Sequence, residues 1–272
     1  MKPDARISVG TVSLWHFRAA GGVFAVLALA EVAGQAVRGG AGAGAWGWLL
    51  LLAAAAWLVG LVWRERVGVF RAWLCLTWVV LMSLGVMMLA ERRGFLFGRI
   101  EFTGREALNA GGVPLSVPLL WWLVVGGGYL VVEGLWGEWR VGLSAFTALV
   151  TVLMALMILP FVGRLRDYWR WPATAPGGGY FGVPWMALAA WFSLALGLAL
   201  GLVIVGDNWS SAEARTRRQA WTPAAVLLTL TLICLGAHLV AGLWLAAACA
   251  AANAVLFGAV VVWYLRDRRA AA

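Results

Sequence analysis

The sequence predicts an all-α, polytopic integral membrane bundle of about eight transmembrane helices. Three observations carry that reading. Of 272 residues, 63% are hydrophobic and only 12% are charged. The apolar residues fall into eight runs, and each is close to the ~20 residues needed to cross a bilayer core. The charged residues sit mostly between those runs.

The runs place spans at 17–37, 45–63, 70–90, 115–135, 141–163, 183–205, 222–240 and 243–265. In lipid, such segments satisfy their backbone only as helices. The first run is too long for a signal peptide and lacks a small-residue cleavage site, so it reads as a true span. The last two are separated only by Ala241, Gly242 and Leu243, which predicts a very tight hairpin. Residues 1–272 read as a single transmembrane domain, with no room for a second soluble one.

An even number of spans puts both termini on one face. That face carries 13 of the basic residues: Lys2, Arg6, Arg18, Arg64, Arg66, Arg71, Arg140, Arg215, Arg217, Arg218, Arg266, Arg268 and Arg269. The opposite face carries 8: Arg38, Arg92, Arg93, Arg99, Arg105, Arg164, Arg166 and Arg170. The excess orients both termini toward the cytoplasm of a multi-pass cell-membrane protein. The net charge of +9 is explained by this bias and by lipid headgroups, so nucleic acid is not an expected partner. Cys75, Cys234 and Cys249 lie inside apolar runs and read as small buried hydrophobes. His16 precedes the first span and His238 lies in the seventh. Neither has a second ligand at helical spacing, so no metal site is expected.

Seven of the eight far-face arginines cluster in two connections, 91–114 and 164–182. Two spans lie between these connections, so they share a face whichever way the protein points. Both mix Gly, Pro, aromatic and charged residues ("ERRGFLFGRIEFTG" and "RLRDYWRWPATAPGGGYFGVPW"). Apolar residues interleaved with charge read as re-entrant or interfacial segments over the bundle mouth, where irregular backbone must be covered.

Ionisable groups beside spans are costly and are therefore site candidates. Glu91 ends the third span, Glu101 follows the turn at Gly94 and Gly98, and Asp167 follows the fifth span. The plain alternative for each is an ion pair: Glu91 with Arg92 or Arg93, Asp167 with Arg164, Arg166 or Arg170. Taken together on one face, the three favour a site. Glu106 reads as more solvated and is left out of it. A carboxyl in an apolar pocket stays protonated and can donate a proton, while an ionised neighbour orients water or offsets a cation. Such a set suits protonation of an electron-rich double bond in a lipid. There is no phosphate loop, no Asp-rich diphosphate motif and no histidine cluster of the di-iron type.

The remaining features are more general. Gly197 and Gly201 in the sixth span, and Ala248 and Ala252 in the eighth, permit close helix approach. Gly126, Gly127 and Gly128 weaken the fourth span, and leave either loose packing or room for a flat ligand. Many of the 19 tryptophans, among them Trp57, Trp78 and Trp191, fall inside spans, where core packing is the default and an isoprenoid wall the alternative. Glu31 and Asn253 are buried polar residues suited to joining helices.

At the same two connections the chain resembles the membrane carotenoid-biosynthesis proteins that include the carotenoid 1,2-hydratases of the bisanhydrobacterioruberin hydratase type. The first pattern is carried by Glu91, Gly94, Phe97, Gly98, Thr103, Gly112, Val113, Pro114, Val117, Pro118, Leu119 and Trp121. The second is carried by Asp167, Trp169, Trp171, Tyr180, Gly182, Val183, Pro184 and Trp191. Departures stand beside these matches. Leu96 replaces a proline, Ile100 and Phe102 replace tyrosines, and Ala187 and Leu188 replace an Asn-Phe pair.

The resemblance implies a cofactor-independent carotenoid hydratase of the bacterial cytoplasmic membrane. Glu91 or Glu101 would protonate the terminal C1–C2 double bond of an acyclic carotenoid, and Asp167 or the other glutamate would stabilise the cation and deliver water. Phe97, Trp121, Trp169, Trp171, Tyr180 and Trp191 would contact the isoprenoid substrate, and other enzymes of the pathway are potential partners. A cyclase, which quenches the same cation by ring closure, and a non-catalytic pigment or lipid carrier stay open.

Overall fold

The computed structural model describes residues 14–38, 44–136, 140–172, 179–206 and 218–270. Of the basic residues counted above, Lys2, Arg6, Arg215 and Arg217 lie outside them, as does 173–178 of the second motif connection.

Eight helical spans cross the molecule. They are α1 (Leu14–Arg38), α2 (Ala45–Val67), α3 (Val69–Arg93), a composite fourth span, α6 (Arg140–Pro160) with its continuation, α7 (Trp185–Gly206), α8 (Arg218–Val240) and α9 (Trp244–Ala270). The fourth span joins α4 (Ser116–Trp121) to α5 (Gly128–Trp136) through a π-helical segment, Trp122–Gly127. A second π segment, Phe161–Leu165, prolongs α6. Each expected span is therefore present, displaced by a few residues at its ends.

Two of the junctions are set by single glycines. Gly68, at φ +83°, ends α2 and begins α3 with no other linker. Gly242, at φ +69°, turns α8 into α9, and Leu243 N–H donates to His238 C=O across the turn. Such left-handed backbone is cheap only without a Cβ.

The fourth span is the centre of the bundle. Its window is 89% buried, against 61% or less for every other span. It packs against α2, α3, α6, α7 and α8. This enclosure explains its glycines. The space a Cβ would need at Gly126 is filled by the Trp122 ring, and Gly127 abuts Val59 and Leu227. The π register leaves the Gly126 carbonyl for Trp63 Nε1–H, at 3.1 Å. Close packing against an aromatic ring accounts for Gly126, whereas Gly127 and Gly128 meet aliphatic side chains at ordinary contact distance. In α7, Gly201 lies under the Trp78 indole of α3, whose Nε1–H donates to Leu198 C=O at 3.2 Å. Only this half of the glycine step is a helix contact: Gly197 is exposed, with nothing within 4 Å of a Cβ there. The corresponding Ala248 and Ala252 of α9 both face outward, so they join no helices within the chain.

Pro160 shapes the end of α6. It has no N–H to give Leu156 C=O, so that carbonyl would be an orphan in the bundle interior. Tyr180 O–H satisfies it at 2.7 Å. Nearby, His238 Nε2 bonds Met157 C=O at 2.9 Å, and Asn253 Nδ2 donates to Leu153 C=O at 2.8 Å. Three side chains thus tie α8, α9 and the second connection to one distorted helix end.

The motif connections do fold over the bundle mouth, and they do so as short antiparallel pairs that apolar periodicity does not reveal. β1 (Glu101–Phe102) pairs with β4 (Trp169–Arg170), Glu101 opposite Arg170 and Phe102 opposite Trp169. β2 (Asn109–Ala110) pairs with β3 (Val113–Pro114) as a hairpin turning on Gly111 and Gly112.

Candidate functional site at the bundle mouth

The β1–β4 pairing physically joins the two motif connections. Thr103 reinforces it, with its N–H donating to Tyr168 C=O at 3.0 Å and its Oγ1–H to Asp167 C=O at 2.6 Å. Trp171 Nε1–H donates to Phe97 C=O at 3.1 Å. Beside this seam lies a hollow of about 500 Å³. Glu101, Arg164, Asp167 and Arg170 form a charged rim, and Trp169, Trp171, Phe181 and Val183 supply apolar walls.

Glu101, Asp167, Trp169 and Trp171 therefore meet at one site. Glu91 does not line it. Its carboxylate lies against the turn of the β2–β3 hairpin, where a Cβ on Gly112 would come within 2.5 Å of Oε2. Glycine at 112 is thus required twice, by φ +96° and by this carboxylate. Neither suggested pair with Arg92 or Arg93 occurs among the described residues.

The remaining aromatic candidates do not line the hollow. Trp121 stacks on Trp191, with centroids 4.3 Å apart, and Phe97 meets Trp121 edge-on at 6.4 Å. All three are fully buried. Tyr180 bonds Leu156 C=O and approaches Cys249 Sγ at 3.7 Å.

Asp167 is held ionised. Arg170 grips it in a two-pronged pair, Nε to Oδ1 at 2.6 Å and Nη2 to Oδ2 at 2.5 Å. Arg105 of the first connection reaches Oδ2 at 2.6 Å. These hydrogen bonds and charges hold its carboxyl below the usual aspartate range. Its backbone is left-handed, at φ +52°, a conformation aspartate tolerates better than most residues.

The sheltered acid is Glu106, which corrects the expectation that it is the more solvated glutamate. Burial pushes its carboxyl above the ordinary glutamate range. Hydrogen bonds from Ser116 Oγ–H and Trp169 Nε1–H (3.1 Å), and the more distant Arg166 charge, only partly oppose that. Glu101, expected to share the sheltered role, is exposed. The reason is tertiary. Thr103 is pinned to 167–168, which reverses the chain and tucks Glu106 behind Trp169 and against the start of α4. Nothing local marks this; the only hint is a serine within the apolar run VPLSVPLL.

Sequence reasoning also missed what Arg166 does. It pairs with Glu31 of α1 rather than with Asp167, and both side chains are almost wholly buried. Its guanidinium lies 5.0 Å from the Phe161 ring centroid and 5.6 Å from that of Trp48, and Nη1 donates to Tyr168 O–H at 3.3 Å. An aromatic cage thus lets a charged pair persist in the bundle. Glu31 is a helix-joining group, as expected, and the element it secures is the exit of α6 into Asp167. A second buried pair, Arg66 with Glu133, lies beside Trp63 and Tyr129.

One departure from the resembled pattern acquires a conformational meaning. Leu96 sits at φ +64° in a tight turn closed by Phe97 N–H to Phe95 C=O, at 2.7 Å. Proline cannot adopt that φ. The change of residue is therefore a change of turn.

Eight membrane-length apolar helices, capped at one mouth by a seam of acids, arginines and tryptophans, define a polytopic helical membrane protein. The carotenoid biosynthesis protein family profile matches residues 45–257, and the chain belongs to that family. No curated protein and no solved structure matches the chain.

Proposed function

We propose that the protein is a carotenoid hydratase acting on the terminal C1–C2 double bond of an acyclic carotenoid, with Glu106 as the proton donor. The observation that carries this reading is the opposite displacement of two carboxyls on one seam. Glu106 is pushed up by burial and Asp167 is held down by arginines. Environments that drive two acids apart assign one as acid and the other as fixed anion.

In this mechanism the Glu106 proton passes to C2 of the alkene, and the π electrons form the new C–H bond. A tertiary cation remains at C1. The ionised Asp167 and the faces of Trp169 and Trp171 offset its charge. Water adds at C1, its second proton returns to the Glu106 carboxylate, and a 1-hydroxy carotenoid leaves. The balance consumes one water and no other reactant. Glu106 does not line the hollow, so the substrate end would enter beside Trp169, which lines the hollow and hydrogen-bonds Glu106, with its chain in the membrane. Both termini would face the cytoplasm.

A specific observation favours one alternative. Ile100 is buried and Phe102 packs edge-on to Trp169, at 6.1 Å, where the resembled pattern has tyrosine hydroxyls. Fewer hydroxyls beside the seam suit quenching by ring closure, which makes a cyclase the second reading.

Expression in a lycopene-accumulating host tests both. Hydration yields a pigment heavier by one water, and cyclisation yields a new pigment of unchanged mass. Loss of a general acid costs about 10²–10⁴-fold. Glu106→Gln should therefore abolish visible conversion, while Glu91→Gln keeps it. Unchanged pigment from a correctly inserted protein, or full conversion by Glu106→Gln, overturns the proposal. The first outcome would favour a carrier, and the second would favour Glu101 as donor.

A further inference from the structure

A second cavity lies away from the reaction hollow. α2 and α3 leave between them a cleft of about 370 Å³ that reaches from Ala53 to Arg64 along α2. Its floor is made of small residues, Ala53, Ala56 and Gly60, and Trp57 and Trp73 form its walls. These tryptophans are 47% and 62% exposed, so the cleft opens on the lipid-facing surface. Arg64 closes one end, three residues before α2 stops at the face opposite the motif seam.

Arg64 is the unusual member. Its Nε is buried and makes no hydrogen bond, and no ion pair engages its guanidinium among the described residues. Its neighbour Arg66, by contrast, is matched to Glu133. A buried donor without a partner is costly, and a charged one more so. An anion at this end of the cleft would remove that cost. The eleven-residue rise from Ala53 to Arg64 is about 16 Å. That is close to half of a ~30 Å hydrocarbon core, the depth of one leaflet. A carotenoid would fill the apolar part and leave Arg64 unanswered.

We infer that this cleft binds one anionic phospholipid, its phosphate on Arg64 and one acyl chain between Trp57 and Trp73. The inference does not depend on the reaction proposed above.

Native mass spectrometry of the full chain, released from micelles with phosphatidylglycerol or phosphatidylcholine, tests it. One phosphatidylglycerol per chain should be retained, with a preference of about tenfold over phosphatidylcholine, whose choline cation offsets the phosphate charge that Arg64 would meet. Arg64→Gln should abolish the preference. Gly60→Leu should lower retention of the lipid. No atom lies within 4 Å of a Cβ at Gly60, so the added side chain enters the cleft without disturbing the helices. Millimolar inorganic phosphate should not displace the lipid, because the chain contributes. Equal retention by wild type and both variants would mean annular lipid only and overturns the site. Displacement by phosphate alone overturns the acyl-chain part.

Discussion

Removing the carboxylate of Glu31 tests whether the first span holds the candidate site in place. Glu31 and Arg166 expose only 1% and 2% of their side chains. Glu31→Leu would therefore strand a guanidinium among Trp48, Phe161 and Tyr168 with no counter-charge. Breaking one side of a buried pair costs about 3–5 kcal/mol. For a chain of this size each kcal/mol moves the melting temperature by about 2–4 °C, so the drop should be roughly 6–20 °C. The double variant Glu31→Leu/Arg166→Met replaces the pair with apolar groups and should recover most of the loss. Thermal unfolding in micelles, followed by tryptophan fluorescence, reads both. A drop under about 2 °C for Glu31→Leu, or a double variant no better than the single one, would refute the view that the pair is a buried, mutually dependent tie between α1 and the exit of α6.

Three further outcomes are expected. Turnover should fall as pH rises through the Glu106 value, which lies above 4.5, and fall again in acid only below the ordinary aspartate value of 3.8, where Asp167 protonates. The stability signs agree. Asp167, lowered on folding, contributes stability that is lost as pH drops through its folded value, whereas Glu106, raised on folding, makes the fold less stable as pH climbs past the unfolded value. A rate that increases with pH above the ordinary glutamate range would refute the donor assignment. At Leu96, glycine should stabilise the protein by up to about 1 kcal/mol by relieving the positive φ, and proline should destabilise it because φ would be forced to about −65°; thermal melts showing the reverse order would contradict the turn described. Tyr180→Phe should cost about 1–3 kcal/mol by orphaning Leu156 C=O, and an unchanged melt would mean that carbonyl finds another donor.

The spans, the tight junction at Gly242, and the shared face of the two motif connections were legible in the sequence; the equally tight turn at Gly68 was not read from it. Each legible feature follows from a local or counting argument: apolar length, a glycine between runs, an even number of crossings. Glu101 and Asp167 stood out as ionisable groups in the connections that counting brings together, whereas Trp169 and Trp171 were picked out by the resembled pattern. Which acid is sheltered was not legible. Glu91, Glu101 and Glu106 lie within sixteen residues of one another in similar surroundings. Their difference arises only when Thr103 is pinned to the second connection, placing Trp169 and Ser116 on one carboxyl and leaving another in water. The same holds for Arg166, which neighbours Asp167 in the chain and yet pairs with a glutamate 135 residues away. Span composition is decided by transfer from water to lipid, a sum over neighbours in the chain. Protonation and pairing are decided by the few atoms around one group, and only the folded arrangement brings those together.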